Sequence, residues 1–402
     1  MATHAADAGW KAGLEDVIAA SSAICAVDGA AGRLFYRGYE IGDLAGAVPF
    51  EDITSLLWFG ELPTPSESAA FQARLLAGRG LPAPVLALLR ALPRETHPLD
   101  ALRTAVSLAA SLDPDSARTD REATVATAVR LMTLVPEVVG AWRHLRAGRE
   151  PVAAPGGEAG HATYVLRVLG LVPEEGMPPA DLVRTMDVVL TLHADHEFNA
   201  STFAARVAVA TMADLPSAIV AAIATLKGPR HGGANEDVLR MLLDIADPAA
   251  VEPWLEARLG ARAGLSRSER ADPRARIPGF GHRVYRVDDA RARVLRGMAG
   301  DMARATGRAR LFEVAEALHR GMRARTPLPV NVDFFSAVVY DALGIPPDLC
   351  TSIFASGRIA GWCAHALEQY ADNRLIRPRA RYIGPAPRPL PGAAPIEPAG
   401  RR

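Results

Sequence analysis

PVNVDFFSAVVYDALGIP, residues 329–346, shows the pattern that decides the fold of this 402-residue chain. Its apolar residues recur at intervals of three and four, and they include Val338, Val339, Ala342 and Leu343. That spacing predicts a helix with one buried face. Proline and glycine near both ends of the segment predict that the helix is short and bounded by turns.

The same spacing recurs along most of the chain. The other stripes are Leu99, Leu102, Val106 and Ala109; Leu182, Met186, Val189 and Leu190; Val238, Leu239, Leu242 and Ile245; and Ile359, Trp362, Ala366, Leu367 and Tyr370. We interpret them as core packing. Residues 24–41 differ, because they predict a strand, a turn at Asp28-Gly29 and a second strand running through Leu34, Tyr36 and Tyr39. The sequence therefore predicts a mainly α protein with a small N-terminal β-hairpin, and Pro136 is expected to kink or end the helix around residues 125–145.

Composition excludes several classes of protein. The chain carries 45 basic and 45 acidic side chains, so it lacks the basic surface that nucleic-acid binding requires. Its longest clearly apolar stretch, residues 217–226, is too short for a bilayer span, which predicts no membrane insertion. Cys25, Cys350 and Cys363 are isolated, which argues against a disulfide framework or zinc site and fits a reducing cytoplasm. The N-terminal residues do not resemble a targeting peptide, so we expect a cytoplasmic protein.

Arginine makes up 43 of the 45 basic residues, because Lys11 and Lys227 are the only lysines. A GC-rich genome accounts for most of this bias. Arginine also grips carboxylates and phosphates with a planar fork, so arginines inside polar motifs are candidates for anion recognition.

Histidines gather in three polar segments that also carry glycine or acidic residues. These are HADHEFNAS (193–201) with His196, GPRHGGANE (228–236) with His231, and PGFGHRVYRVDDARAR (278–293) with His282. Asp333 stands at the predicted start of the helix quoted above. Glycine beside histidine lets the backbone approach a ligand closely. A helix beginning just after His231 would favour a neutral imidazole that donates a hydrogen bond to a developing oxyanion.

Each of these signals has a structural alternative. A lone helical histidine is more often a packing residue, Asp333 fits a helix N-cap, and the glycine runs fit plain turns. A metal hydrolase is disfavoured because HADHE is neither HExxH nor HxxEH, so no metal site is expected. The chain also lacks a GxSxG elbow and a GxGxxG segment after a strand, which disfavours serine hydrolase and dinucleotide-binding folds. Taken together, two histidines, one aspartate and several arginines suit carbon–carbon bond formation on anionic substrates.

Six ordered segments closely resemble the citrate synthase family, from Gly13 to Pro385. They are VDGAAGRLFYRGYEIGDLA (27–45), LHADHEFNASTFAARV (192–207), GPRHGGANEDVLRML (228–242), PGFGHRVYRVDDARARVL (278–295), PVNVDFFSAVVYDALGIP (329–346) and GRIAGWCAHALEQYADNRLIRPRARYIGP (357–385). The resemblance implies a two-domain helical homodimer with the active site in the cleft. We assign residues 1–228 and 339–402 to a large domain and residues 229–338 to a small domain that closes over substrate.

The resemblance also implies a role for each motif residue. His231, His282 and Asp333 match the catalytic residues: Asp333 takes a proton from the acyl-CoA methyl group, His231 holds the thioester oxygen, and His282 donates to the oxaloacetate ketone. The residues matching oxaloacetate contacts are His196, Arg291, Arg358 and Arg377, the last reaching into the partner subunit's site. Arg286, and more weakly Arg283, match basic residues near CoA. No cofactor is implied, since acyl-CoA is a substrate.

The resemblance leaves the acyl group open. Citrate synthase uses acetyl-CoA and 2-methylcitrate synthase uses propionyl-CoA, a difference of one methyl group that a pocket discriminates by only about 1–3 kcal/mol. We favour citrate synthase, with propionyl-CoA or dual use as the alternative and a non-catalytic paralogue as a lesser one. Gly357, Ala290 and Arg381 depart from common family residues. The short N-terminal region predicts a dimer without NADH control.

Overall fold

The computed structural model describes residues 11–15, 17–153, 160–173, 176–264, 266, 276–385, 388 and 391. Helices dominate these residues, as the periodicity predicts. They are α1 (Ile41–Leu44), α2 (Phe50–Phe59), α3 (Pro65–Ala77), α4 (Ala83–Ala91), α5 (Pro98–Leu112), α6 (Arg121–Arg146), α7 (His161–Val168), α8 (Ala180–His193), α9 (Ala200–Ala210), α10 (Leu215–Leu226), α11 (Ala234–Ile245), α12 (Val251–Ala263), α13 (Ala290–Ala305), α14 (Ala309–Arg325), α15 (Val332–Ala342) and α16 (Cys350–Ala371). The mainly α fold is confirmed.

A small antiparallel sheet precedes the helices. Its strands are β1 (Cys25–Asp28), β2 (Arg33–Tyr36) and β3 (Tyr39–Glu40), in the order β1-β2-β3. The predicted hairpin is present, with Cys25 opposite Tyr36. Tyr39 belongs to the third strand rather than to the second, because Arg37 and Gly38 both adopt positive φ and turn the chain back.

Helix α6 is the longest apolar helix of the described residues. It continues through Pro136, so the expectation that the helix ends there is wrong. Almost every residue from Thr124 to Trp142 is buried, and this packing holds the helix together although proline provides no N–H. Its most apolar 18-residue window is long enough to cross a membrane, but 89% of that window is buried inside the protein, as in a core helix.

The helices pack in two groups. α16 is central to the first group, where it contacts α2, α6, α8, α9 and α10. In the second group α15 packs against α11, α13 and α14, and α12 packs against α14. The two groups meet where α8 contacts α13 and where α11 contacts α16. The polar motifs lie at the ends of these contacting helices.

Candidate active site

Two loops bring His282 and Asp333 to the same place. Phe280 and Val330 form an isolated antiparallel bridge. On either side of it, the backbone N–H of Gly281 donates to the carbonyl of Pro329 at 2.7 Å, and that of Asn331 donates to the carbonyl of Gly279 at 3.0 Å. The loop that carries His282 is therefore fixed against the segment that begins α15.

Asp333 lies in the first turn of α15, but it is not the N-cap. The side chain of Asn331 caps the helix by accepting from the backbone N–H of Asp333 at 3.1 Å. The alternative interpretation of Asp333 as a cap is therefore wrong, and its carboxylate has no hydrogen bond among the described residues. Burial raises the pKa of Asp333 to about 7, while the positive charge of Arg291 opposes the rise.

His282 has one ring nitrogen engaged with the backbone. Its Nδ1 accepts from the N–H groups of Val284 and Tyr285, at 3.0 Å each. Since a backbone N–H can only donate, the ring proton of neutral His282 resides on Nε2. Burial, helped by the charge of Arg291, lowers the pKa of His282 to about 4. His282 is therefore a neutral hydrogen-bond donor at neutral pH.

His231 lies in the turn before α11. Its Nε2 is 2.7 Å from the hydroxyl of Ser201 and accepts from the backbone N–H of Ser201 at 3.3 Å. This arrangement puts the ring proton on Nδ1. Burial, with the charge of Arg358, lowers the pKa of His231 to about 3, which keeps the ring neutral as the sequence suggested.

His196 faces His282, with the two ring centroids 5.2 Å apart. It follows α8 in a loop whose backbone is held by the hydroxyl of Tyr36. Its Nε2 is buried without a hydrogen-bond partner among the described residues. Burial and the neighbouring charge of Arg291 lower the pKa of His196 well below its usual range. A buried nitrogen of this kind is suited to contact a polar ligand.

Arg291 is buried in a bidentate ion pair. Its Nε and a terminal nitrogen donate to the two oxygens of Asp289 at 3.0 and 2.7 Å. Burial is the largest single influence on the pKa of Arg291 and would lower it, but the charge and hydrogen bonds of Asp289, together with smaller contributions from Tyr285 and Tyr36, raise it overall. The pair fixes Arg291 and neutralises most of its charge.

Arg358 is buried without such a partner. Only 1% of it is exposed, its Nε donates to the carbonyl of His193 at 2.6 Å, and its Cζ lies 4.6 Å from the ring centre of Phe354. No carboxylate among the described residues pairs with it within 4.0 Å. Burial lowers the pKa of Arg358 to about 10, so it remains a cation at neutral pH.

The other three predicted arginines lie outside this cluster. Arg286 is exposed and its backbone N–H donates to the carbonyl of Gly29 at 2.8 Å. Arg283 is exposed and lies 3.9 Å from Glu15. Arg377 is exposed in the irregular segment after α16, and no contact with the cluster is found among the described residues. Of the site residues predicted from the sequence, the structure therefore brings together the histidines, Asp333, Arg291 and Arg358, but not Arg283, Arg286 or Arg377.

Three side chains place potential metal ligands close to one another. His196, His282 and Asp289 each have a ligand atom within 4.8 Å of those of the other two. Both oxygens of Asp289 already accept hydrogen bonds from Arg291, whose positive charge lies beside them. A cation would have to displace that arginine, so the donor set does not fit a metal ion.

Sequence analysis missed several residues that support the site. Asp289, which holds Arg291, was not singled out. Ser201 fixes His231, and His365 contacts Asp195 beside His196 at 3.2 Å. His365 lies seven residues after Arg358, two helical turns along the same face, and that spacing could have indicated it.

Comparisons with known proteins agree with this geometry. The sequence profile described as "Citrate synthase, C-terminal domain" matches residues 13–379. Citrate synthase 2 of Bacillus subtilis is 41% identical over 375 residues, covering 93% of this chain and 95% of that protein. A 2-methylcitrate synthase of Mycobacterium tuberculosis is 38% identical, covering 95% and 92%. The citrate synthase of Thermoplasma acidophilum in ternary complex with carboxymethyl coenzyme A and oxaloacetate has a TM-score of 0.85 at 32% identity, covering 94% and 97%.

Proposed function

The chain belongs to the citrate synthase family, and from this premise we propose that it condenses acetyl-CoA with oxaloacetate and hydrolyses the resulting citryl-CoA to citrate and CoA. The observation that carries the proposal is Arg358, a buried guanidinium without a carboxylate partner among the described residues. An unpaired buried charge is costly unless a ligand of opposite charge binds to it. An organic acid supplies that charge.

Asp333 is the base that removes a proton from the acyl methyl group. Its pKa of about 7 gives it a higher proton affinity than an ordinary carboxylate while leaving much of it ionised near neutral pH. The proton moves to the carboxylate as the enol or enolate of the thioester forms. The absence of hydrogen bonds to its carboxylate among the described residues leaves both oxygens free for this step.

His231 and His282 act as neutral hydrogen-bond donors to the two carbonyl oxygens. The Nδ1–H of His231 stabilises the thioester oxygen as negative charge develops. The Nε2–H of His282 polarises the oxaloacetate ketone, and this proton passes to the alkoxide when the new carbon–carbon bond forms. The proton that Asp333 took from the methyl group then replaces it, so both groups return to their starting states. Water then cleaves the thioester and releases CoA. No resident cofactor or metal takes part in this scheme.

Oxaloacetate is bound by Arg358, Arg291 and His196. Arg358 supplies an unpaired cation, and the unpartnered Nε2 of His196 supplies a polar contact. Arg286 and Arg283 are exposed, so they suit the phosphates of CoA better than a buried dicarboxylate. We assign residues 229–338 to a small domain that closes over the substrates and residues 1–228 and 339–402 to a large domain. Such an enzyme acts in the cytoplasm.

The working assembly is a homodimer in which Arg377 enters the partner's site. Supporting this, Arg377 is exposed and followed by the exposed side chains of Tyr382 (76%) and Ile383 (89%). A mixing experiment tests it. Inactive Arg377→Ala and Asp333→Ala homodimers, once their subunits exchange, regain activity because each heterodimer contains one intact site. Proven exchange without recovery would rule out a shared site.

The acyl group is tested by thiol release with oxaloacetate, comparing kcat/KM for acetyl-CoA and propionyl-CoA. The proposal expects acetyl-CoA to be preferred. The main alternative is 2-methylcitrate synthase, the name of a relative with 38% identity, and a preference for propionyl-CoA would establish it. Comparable values would indicate dual use, and no turnover with either substrate would leave a non-catalytic paralogue.

A further inference from the structure

A buried chain of polar side chains lies behind the oxaloacetate-binding residues. It runs from Glu368 through Arg206 and His365 to Asp195, which directly precedes His196. Arg206 donates to Glu368 at 2.7 Å and contacts Nδ1 of His365 at 3.1 Å, and Nε2 of His365 contacts Asp195 at 3.2 Å. Three of these residues are at least 97% buried, and only Glu368 has substantial exposure.

The direction of each hydrogen bond in this chain is fixed by chemistry. A guanidinium can only donate, so Nδ1 of His365 is the acceptor and the ring proton lies on Nε2. That proton is donated to the carboxylate of Asp195. The first hydrogen bond therefore sets the tautomer of His365, which in turn holds Asp195.

The backbone at Asp195 is also fixed by Tyr36 and by helix α16. Its backbone N–H donates to the hydroxyl of Tyr36 at 3.0 Å. On α16, the backbone N–H of Gly361 donates to the carbonyl of Ala194 at 3.1 Å, and a Cβ at Gly361 would lie 2.6 Å from a carboxylate oxygen of Asp195. Only glycine at this position lets residues 194 and 195 lie directly on the helix.

Asp195 is linked to two residues that we assign to oxaloacetate. It is adjacent in sequence to His196, and its charge is the strongest influence opposing the effect of burial on Arg358. The Nε of Arg358 donates to the carbonyl of His193, two residues before Asp195, so the loop that carries His196 also contacts Arg358.

We infer that Asp195 and His365 are positioning residues for oxaloacetate, an inference that rests on the proposed function. The pair acts through this loop rather than on the substrate itself. It fixes residues 193–196, the loop that aims His196 and whose His193 carbonyl accepts from the Nε of Arg358. Among the described residues only that nitrogen of Arg358 is engaged, so its terminal nitrogens are free to grip a carboxylate.

The test compares Asp195→Asn, His365→Leu, His365→Gln and the control Gln369→Leu. Gln369 accepts from Arg206 at 3.0 Å, so its loss damages the same network while leaving the pair of Asp195 and His365 intact. Glutamine at position 365 retains an N–H for Asp195, whereas leucine does not. Oxaloacetate binding by calorimetry, KM for each substrate, kcat and Tm are measured for every variant.

His365→Leu and Asp195→Asn are expected to weaken oxaloacetate binding about tenfold, equivalent to about 1.4 kcal/mol, with the KM for acyl-CoA nearly unchanged. His365→Gln retains most of the affinity. Gln369→Leu lowers Tm but leaves oxaloacetate affinity at the wild-type level. If His365→Leu binds oxaloacetate as wild type does, or if Gln369→Leu loses as much affinity, the inference is overturned. Failure of wild-type protein to bind oxaloacetate would instead overturn the proposed function.

Discussion

Asp333→Asn is expected to abolish turnover and, at the same time, to stabilise the folded protein at alkaline pH. Burial raises the pKa of this carboxyl from 3.8 to about 7, a shift of about three units. Each unit corresponds to about 1.4 kcal/mol, so ionised Asp333 costs the native state up to about 4 kcal/mol. Asparagine has nearly the same shape and no charge.

The sign of the effect follows from the two pKa values. Below pH 3.8 the carboxyl is protonated in both the folded and the unfolded chain, and the cost is absent. The cost grows as the pH rises and is complete above about pH 7, where the carboxyl is ionised in both states. Because the side chain is partly exposed, we expect a gain of about 1–3 kcal/mol at pH 8 and a smaller one at pH 5.

Urea unfolding at pH 5 and pH 8 measures this difference, with the protein concentration held constant because the stability of the proposed dimer would depend on it. Asp244→Asn removes an exposed carboxylate on α11 and serves as the matched control, with no comparable gain. If Asp333→Asn is no more stabilised at pH 8 than at pH 5, Asp333 does not carry the burial cost that makes it a base. Retained turnover would reject its catalytic role directly.

Three further predictions follow from the site. In the wild-type protein, kcat/KM for acyl-CoA is expected to fall about tenfold per pH unit below about pH 7, because only ionised Asp333 can accept the methyl proton. A flat pH profile of kcat/KM between pH 5.5 and 8 would contradict this. Arg358→Met is expected to raise the dissociation constant of oxaloacetate by at least about thirtyfold without lowering Tm. The reason is that removing one partner of the buried charge pair between Arg358 and a substrate carboxylate costs about 2–5 kcal/mol of binding free energy. Unchanged affinity in calorimetry would exclude Arg358 as a ligand of oxaloacetate. Gly361→Ala places a Cβ 2.2 Å from the carbonyl oxygen of Ala194, so it is expected to destabilise the protein by about 1–3 kcal/mol and to raise the KM for oxaloacetate. The control Gly297→Ala, which has open space around it on α13, is expected to do neither. Equal effects of the two variants in urea unfolding and kinetics would contradict the close packing of Gly361 against residues 194 and 195.

The sequence predicted the parts of the fold that depend on local spacing. The apolar stripes lie on buried faces of helices, and the hairpin at residues 24–41 is present, because both patterns arise from residues a few positions apart. The third strand was missed, since it depends on the positive φ of Arg37, a residue that rarely adopts it. The helix end that was one of the two outcomes expected at Pro136 does not occur, because the surrounding tertiary packing outweighs the local effect of proline.

The sequence predicted which residues belong to the candidate site, but it did not predict which of them contact one another. His282 and Asp333 are 51 positions apart, and the bridge between Phe280 and Val330, with the hydrogen bonds on either side of it, brings their segments together. The contact between Asp195 and His365 spans 170 positions. The spacing patterns of helices and strands relate residues only a few positions apart, so they cannot predict such contacts. The capping side chain of Asn331, two positions before Asp333, depends on where the helix begins, which sequence patterns locate only to within a few residues.

The site contains two buried arginines, one paired with a carboxylate and one not, and this difference bears on how it can bind a dicarboxylate. Arg291 is neutralised by Asp289, while Arg358 keeps its positive charge, and the histidines are neutral. Oxaloacetate carries two negative charges, whereas Arg358 supplies one positive charge, and Asp195 adds a further negative charge nearby. The partner's Arg377, in the proposed dimer, offsets one more.

The bound site is therefore no more positive than the free site, and the added negative charge favours protonation of Asp333. In the proposed mechanism, bound oxaloacetate therefore raises the proton affinity of Asp333. The zero net charge of the chain conceals this arrangement, because the chemistry depends on which arginine has a partner.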